Sequence, residues 1–202
     1  MARKQIVTIA LAGSILMFAG IGGGCKKQEE TAPAPAKQPA APVILSTLPI
    51  ADFENGITGW SPSAKAVKLS QATDNKHGGN ASLKISGNGE TGRWSYAYSP
   101  KFKLESGAKY KLTGWMKVES ISDPKKPPFL KCAVNQGSKW LSNSNTKKYD
   151  LKKLNDWQEL TVEFTSPPEN DLVGFLAVEK GTDAVAIETT LYLDDIKFEK
   201  IQ

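Results

Sequence analysis

Apolar and polar residues alternate with a period of two along most of the chain after residue 65, and helical periodicity is almost absent. This pattern is typical of strands that bury one face, and the segments are bounded by the Gly, Pro, Asn and Asp residues that favour turns. It predicts an all-β fold, a β-sandwich of the eight-to-ten-stranded jelly-roll type. The predicted strands are Ala66–Thr73, Ser82–Gly87, Trp94–Ser99, Lys101–Glu105, Lys109–Glu119, Pro128–Asn135, Trp157–Thr165, Leu172–Lys180 and Ile187–Glu199.

In the last predicted strand, the alternation of apolar and polar residues shifts by one position at a pair of aspartates. Apolar residues occupy odd positions up to Leu193 and even positions from Ile196. A slip of one residue predicts a β-bulge at Asp194 and Asp195. Their carboxylates are candidate ligands for a hard cation such as calcium, and Ala51–Gly56 is the obvious source of further oxygen atoms. The alternative is a solvated pair of carboxylates.

The first 24 residues have the organisation of a secretory signal peptide. Arg3 and Lys4 precede an apolar run over residues 6–21, and three glycines lead to Cys25. This arrangement resembles a bacterial lipoprotein signal, which implies acylation of Cys25, attachment to a membrane through the lipid, and a location in the cell envelope at the outer membrane of a Gram-negative bacterium. Residues 25–48 are rich in Pro, Ala and charge and predict an extended linker. Residues 49–202 are enough for one domain with its own core.

Charge and reactive residues exclude several functions. The chain has 26 Lys and Arg against 21 Asp and Glu and lacks a basic stripe interleaved with aromatics, so we expect no nucleic-acid partner. Cys132 lies in the apolar register of a predicted strand, where a buried thiol is the ordinary outcome. His77 is the only histidine, and no nucleophile motif is present, so we expect no catalysis.

Several short motifs, taken in order, resemble the carbohydrate-binding modules of families four, nine and twenty-two. The resemblance covers nearly all of residues 51–201 and implies a galactose-binding-like jelly roll with a structural calcium ion where the chain ends meet. It assigns the ion to Glu54, to the segment around Asn80, and to Asp195 in preference to Asp194. The motifs are Phe53–Gly56 followed by Gly59-Trp60, then His77–Ile85, Tyr110–Lys117, Asp156-Trp157 and Leu191–Ile196.

Sugar rings pack on exposed aromatic side chains, so the aromatics outside the core register are the candidate site. Alternation places Trp115 on the face opposite Leu112 and Met116. The Trp94, Tyr96 and Tyr98 triplet is either a core face or an aromatic platform at a rim, whereas Trp60 and Trp157 are assigned to the core. The predicted ligand-binding residues are Trp94, Tyr96, Trp115, Lys117, Lys131, Asn135, Trp140 and Glu179.

Three hypotheses follow for the function. The first is a non-catalytic, lipid-anchored surface or periplasmic protein that binds a polysaccharide or oligosaccharide. The second is a structural or interaction lipoprotein that keeps the jelly roll and calcium and contacts other envelope proteins instead of sugar. The third is a small glycosidase or lyase, which needs two carboxylates in one cleft, with Glu119 and Glu179 as the candidates.

The lipoprotein signal predicts that Cys25 carries the anchor. A Cys25→Ala variant should lose both membrane partitioning and palmitate labelling, because a thiol is the acylated group. Continued labelling of that variant would contradict the prediction, and Cys132→Ala is the matched control that should still label.

Overall fold

Two antiparallel sheets form the domain. A computed structural model of the chain describes residues 44–202, with side chains from Asp52 onward. The predicted signal peptide, Cys25 and most of the linker lie outside the described residues. The strands are β1 Ile44–Ala51, β2 Ser61–Pro62, β3 Val67–Ala72, β4 Ser82–Gly89, β5 Ser95–Tyr98, β6 Phe102–Leu104, β7 Lys109–Ile121, β8 Phe129–Gln136, β9 Lys139–Asn145, β10 Gln158–Thr165, β11 Leu172–Glu179 and β12 Ile187–Ile201, with one 3-10 turn at Leu151–Lys153.

Each sheet is built around one central strand. The first sheet has the order β10-β7-β12-β4-β3, and β1 pairs with the C-terminal half of β12. The second sheet has the order β2-β5-β11-β8-β9, and β6 pairs with the N-terminal end of β11. Every pairing is antiparallel. The sequence therefore predicts the β-sandwich correctly.

The core lies between the two sheets. Alternate residues of β7 and β12 meet alternate residues of β8 and β11 there, among them Leu112, Phe198, Cys132 and Leu176, none of which exposes any surface. Burial raises the pKa of the Cys132 thiol to about 12, so this cysteine is the inert, buried thiol that its register predicts. Within residues 44–202, no helix has the length and hydropathy needed to cross a membrane.

All nine predicted strands form, and three more occur within residues 44–202. The strand β1 begins at Ile44, inside the segment assigned to the linker, and joins the first sheet along Ile196–Ile201. The strand β9 reads KWLSNSN, in which serines and asparagines hide the alternation, and β2 is only two residues long. Short or polar edge strands carry little periodic signal.

The β-bulge in β12 is confirmed. The pairing of β12 with β7 shifts between Asp194 and Lys197, and Asp195 has φ +46°. Because of the slip, the inward carboxylate is Asp194, which is 1% exposed, and the preference for Asp195 as the inward residue is wrong.

The buried Asp194 carboxylate fastens the β3–β4 loop to the bulge. One oxygen accepts the His77 N–H at 2.8 Å and the Gly78 N–H at 3.2 Å, and the other accepts the Asp195 N–H at 2.7 Å. Burial raises the pKa of Asp194, while the three N–H donors oppose that shift. The carboxylate therefore satisfies three backbone donors in a place that excludes water.

We predict that Asp194→Ala lowers the free energy of unfolding by about 1–3 kcal/mol, the cost of leaving buried N–H donors without acceptors. Chemical denaturation of the full chain measures this change. The control is Asp195→Asn, which alters a partly exposed side chain and tolerates the positive φ, and should change stability by less than about 0.5 kcal/mol. Equal losses in the two variants would contradict the assignment.

Candidate functional site

The outer face of the second sheet collects polar and aromatic side chains that the core does not use. On β11, Leu176 and Val178 point into the core, so Phe175 and Glu179 lie on the opposite side. On β8 the same alternation puts Lys131 and Asn135 outside. This surface, formed by β5, β8, β9 and β11, is called the β8–β11 face below.

Strand register arranges these side chains in rows across the face. Tyr98 on β5, Ala177 on β11 and Lys131 on β8 occupy one row, and Phe175 stands opposite Ala133 in the next. Both alanines are buried although they belong to the outer face. The exposed surface of these two rows is therefore supplied by the larger side chains beside them.

Two aromatic rings form the apolar part of a groove on this face. Tyr98 and Phe175 meet edge to face, with ring centroids 5.8 Å apart, and both are only half-buried. They belong to a shallow cavity of about 430 Å³, whose lining residues are Ser61, Tyr98, Ser99, Lys101, Asn135 and Phe175. Apolar rings beside a few polar groups are the usual composition of a small-molecule pocket.

Asn135 offers this groove an unused hydrogen-bond acceptor. Its Oδ1 atom is buried, and within residues 52–202 nothing donates a hydrogen bond to it. Buried polar atoms are almost always satisfied by protein, water or ligand. A hydroxyl group entering the groove would supply the missing donor.

Glu179 is the one carboxylate on the strands of this face, and it is already engaged. Its Oε1 lies 2.6 Å from Lys131 Nζ and accepts a hydrogen bond of 2.6 Å from Ser95 Oγ, and the residue is only 2% exposed. Glu119, its partner in the glycosidase hypothesis, belongs to β7 in the first sheet and accepts a hydrogen bond from the Tyr192 hydroxyl. The two carboxylates do not share a cleft.

Lys180 fixes the loops at the Glu179 end of the face. Its buried ammonium donates to the carbonyl oxygens of Gly89, Glu90 and Val185 at 2.6–2.8 Å, and its backbone N–H donates to the carbonyl of Trp94. Burial lowers the pKa of this lysine, although Asp183 opposes the shift. Hydropathy patterns assign lysine to the surface, so the sequence did not indicate that Lys180 would be buried.

The structure brings together four of the predicted ligand-binding residues. Lys131, Asn135 and Glu179 share the face, and Trp140 on β9 stands directly opposite Asn135. Trp140 is 59% exposed, and its indole N–H donates to Asn143 Oδ1 at 3.0 Å. Trp94, just before β5, is 52% exposed. Tyr98, Phe175 and Lys101 were not among the predicted ligand-binding residues.

Tyr96 does not belong to the site. It has no exposed surface and packs in the core. The pairing of β5 with β11 shifts between Val178 and Glu179, and this irregularity turns Tyr96 inward while Tyr98 stays outside. The expectation that Trp94, Tyr96 and Tyr98 share one side is therefore wrong.

Trp115 and Lys117 face outward, as alternation predicts, but from the other sheet. The Trp115 ring stacks on His77 with centroids 3.8 Å apart and planes at 13°. Lys117 Nζ donates to Asn75 Oδ1 at 2.8 Å. These two residues therefore cannot form one groove with Lys131, Asn135 and Glu179, and both support the β3–β4 loop instead.

The residues assigned to calcium surround the same loop. Both Glu54 oxygens accept the Asn80 N–H, at 2.8 and 2.9 Å, and these bonds hold the Glu54 pKa below its ordinary value. Asp195 contacts His77 Nδ1 at 2.6 Å. Calcium takes six to eight oxygen ligands, yet no three His, Cys, Asp or Glu side chains converge on a common point in the part of the chain with described side chains. Calcium therefore stays a prediction.

Comparison with solved structures finds the same fold at low sequence identity. The CBM22-1 xylan-binding domain from Paenibacillus barcinonensis Xyn10C is 17% identical, with a TM-score of 0.53 over 80% of this chain and 97% of that one. The CBM22-1-GH10 modules of Clostridium thermocellum xylanase 10B, complexed with xylohexaose, are 13% identical with a TM-score of 0.55. That match covers 77% of this chain and 28% of the xylanase chain.

Comparison at the level of sequence identifies the family. No curated protein matches the chain. A family described as carbohydrate binding domain matches residues 49–185, which include all strands from β2 to β11. This match agrees with the motifs that run from Phe53 to Asp156-Trp157 in the sequence. The chain therefore belongs to this family of carbohydrate-binding domains.

Proposed function

We propose that the chain is a non-catalytic protein that binds a polysaccharide or oligosaccharide on the β8–β11 face and is anchored by lipid at Cys25 in the cell envelope. The observation that carries the proposal is the groove in which Tyr98 and Phe175 stand beside the unpaired acceptor of Asn135. A pyranose presents C–H groups to aromatic rings and hydroxyl groups to polar atoms at their edge. The groove offers partners for both.

The dimensions of the face suit a chain of sugars. The outer positions Val173, Phe175, Ala177 and Glu179 follow one another along β11. At a rise of about 3.3 Å per residue they span about 20 Å, the length of several sugar rings. Trp140 extends the face to the edge strand β9, and its side chain is not part of the core. Aromatic contacts are thus available on both sides of Asn135.

The number and the contacts of the carboxylates on this face agree with binding without catalysis. Glycoside hydrolysis needs an acid and a second carboxylate on either side of the scissile bond. On the strands of the β8–β11 face only Glu179 is acidic, and its contacts with Lys131 and Ser95 hold it in a structural role. The xylan-binding domains of similar fold bind a polysaccharide, and this agrees with the proposal.

We predict that Phe175→Ala weakens polysaccharide binding about tenfold or more. A stacked ring contributes on the order of 1 kcal/mol beyond its buried area, and about 1.4 kcal/mol corresponds to tenfold in affinity. Affinity electrophoresis of the full chain in gels that contain xylan, β-glucan, mannan or polygalacturonate gives the affinity of each variant. Circular dichroism melting confirms that each variant is folded.

The matched control is Trp115→Ala, which removes an aromatic ring from the outer side of the first sheet. Its affinity should stay within about twofold of the parent protein. If Trp115→Ala weakens binding and Phe175→Ala does not, the site lies on the first sheet. If no gel retards the parent protein, the chain is better explained as an interaction lipoprotein.

A further inference from the structure

Lysines gather around the groove of the β8–β11 face. Lys101 lines the groove beside Tyr98 and Phe175, and Lys103 on β6 stands opposite Val173 in the same sheet. Both side chains are exposed. At the other end, Lys148 Nζ lies 6.0 Å from the centre of the Phe129 ring, which also points away from the core. Cations therefore flank the aromatic surface along its length.

Little acidic charge offsets these lysines. Glu179 is bonded to Lys131, and no salt bridge among residues 52–202 uses Lys101, Lys103 or Lys148. The acids nearest to these lysines in the sequence have other partners, because Glu105 is bonded to Lys200 and Asp150 accepts the Lys152 N–H. Glu169 and Asp171 lie in the loop before β11. An exposed cation without a partner keeps its charge available to a ligand.

The outer side of the first sheet has a different charge pattern. Lys111 stands opposite Glu163 on β10 and opposite Glu199 on β12. Lys84 lies 5.5 Å from the Tyr192 ring, whose hydroxyl reaches Glu119. Acidic and basic side chains thus alternate across that surface, as cross-strand pairing favours.

We propose that the polysaccharide bound on the β8–β11 face is anionic. Its sugar rings lie on Phe175 and Tyr98, and its acidic groups lie beside Lys101 and Lys103. This inference rests on the proposed function and adds the chemical class of the ligand. The lysine ammonium is a compact charge on a flexible side chain, so it can bind either a uronate carboxylate or a sulfate ester. Contacts of this kind at an exposed rim weaken as salt is added.

The test uses two pairs of polymers that differ in charge. Polygalacturonate is compared with its methyl ester, and dextran sulfate with dextran, in affinity electrophoresis of the full chain. The variant Lys101→Gln with Lys103→Gln removes one cation from the groove lining and one from the neighbouring strand β6. The control Lys68→Gln with Lys197→Gln removes the same charge from exposed positions of the first sheet.

We expect the parent protein to bind at least one anionic polymer at least fivefold more tightly than its neutral partner. The Lys101 and Lys103 variant should lose at least fivefold of that affinity, and the control should stay within about twofold. The polymer that responds distinguishes carboxylate from sulfate.

Three outcomes would overturn the inference. Equal affinity for the charged and neutral polymers, with Phe175→Ala still weakening both, leaves the proposed function intact and removes the anionic preference. Equal losses in the two double variants mean that overall charge alone attracts the polymer. Absence of binding to these four polymers and to xylan, β-glucan and mannan contradicts both the inference and the proposed function.

Discussion

The alternation of side chains along the two central strands is the constraint on which the rest of this domain depends. Both β11 and β12 bury one side in a shared core, so every second residue is committed to packing. The residues between them are free to face outward, and a shift of one position would exchange the two sets. Phe175 lies in the groove and Leu176 in the core for this reason alone.

Irregularities in register then decide the details. The bulge in β12 buries Asp194 and leaves Asp195 partly exposed, and the buried carboxylate holds the β3–β4 loop through His77 and Gly78. The shift between β5 and β11 sends Tyr96 into the core and leaves Tyr98 on the groove. The irregularity in β12 thus fixes the β3–β4 loop. The one between β5 and β11 determines which tyrosine lines the groove.

Sequence patterns predicted the regular parts of this structure well. Nine strands, the sandwich, the bulge at Asp194 and Asp195, the buried Cys132 and the outward direction of Trp115 follow from period-two alternation. The same alternation does not say which sheet a strand joins, so Trp115 on β7 was grouped with residues of β8 and β11. Alternation also fails to predict the register shift in β5, because the order of apolar residues there does not change. The inward direction of Tyr96 was missed for this reason. Lys180 was missed because two of its three carbonyl partners, Gly89 and Glu90, lie far from it in the sequence.

The account depends most directly on which sheet meets the polysaccharide. Amide chemical shifts of the full chain, recorded by NMR during titration with an oligosaccharide of a polymer that it binds, would map the contact. We expect the largest changes at Tyr98, Phe175 and Asn135, with small changes at the Trp115 and His77 stack. Changes centred on Trp115 and His77, with Phe175 unaffected, would contradict a site on the β8–β11 face.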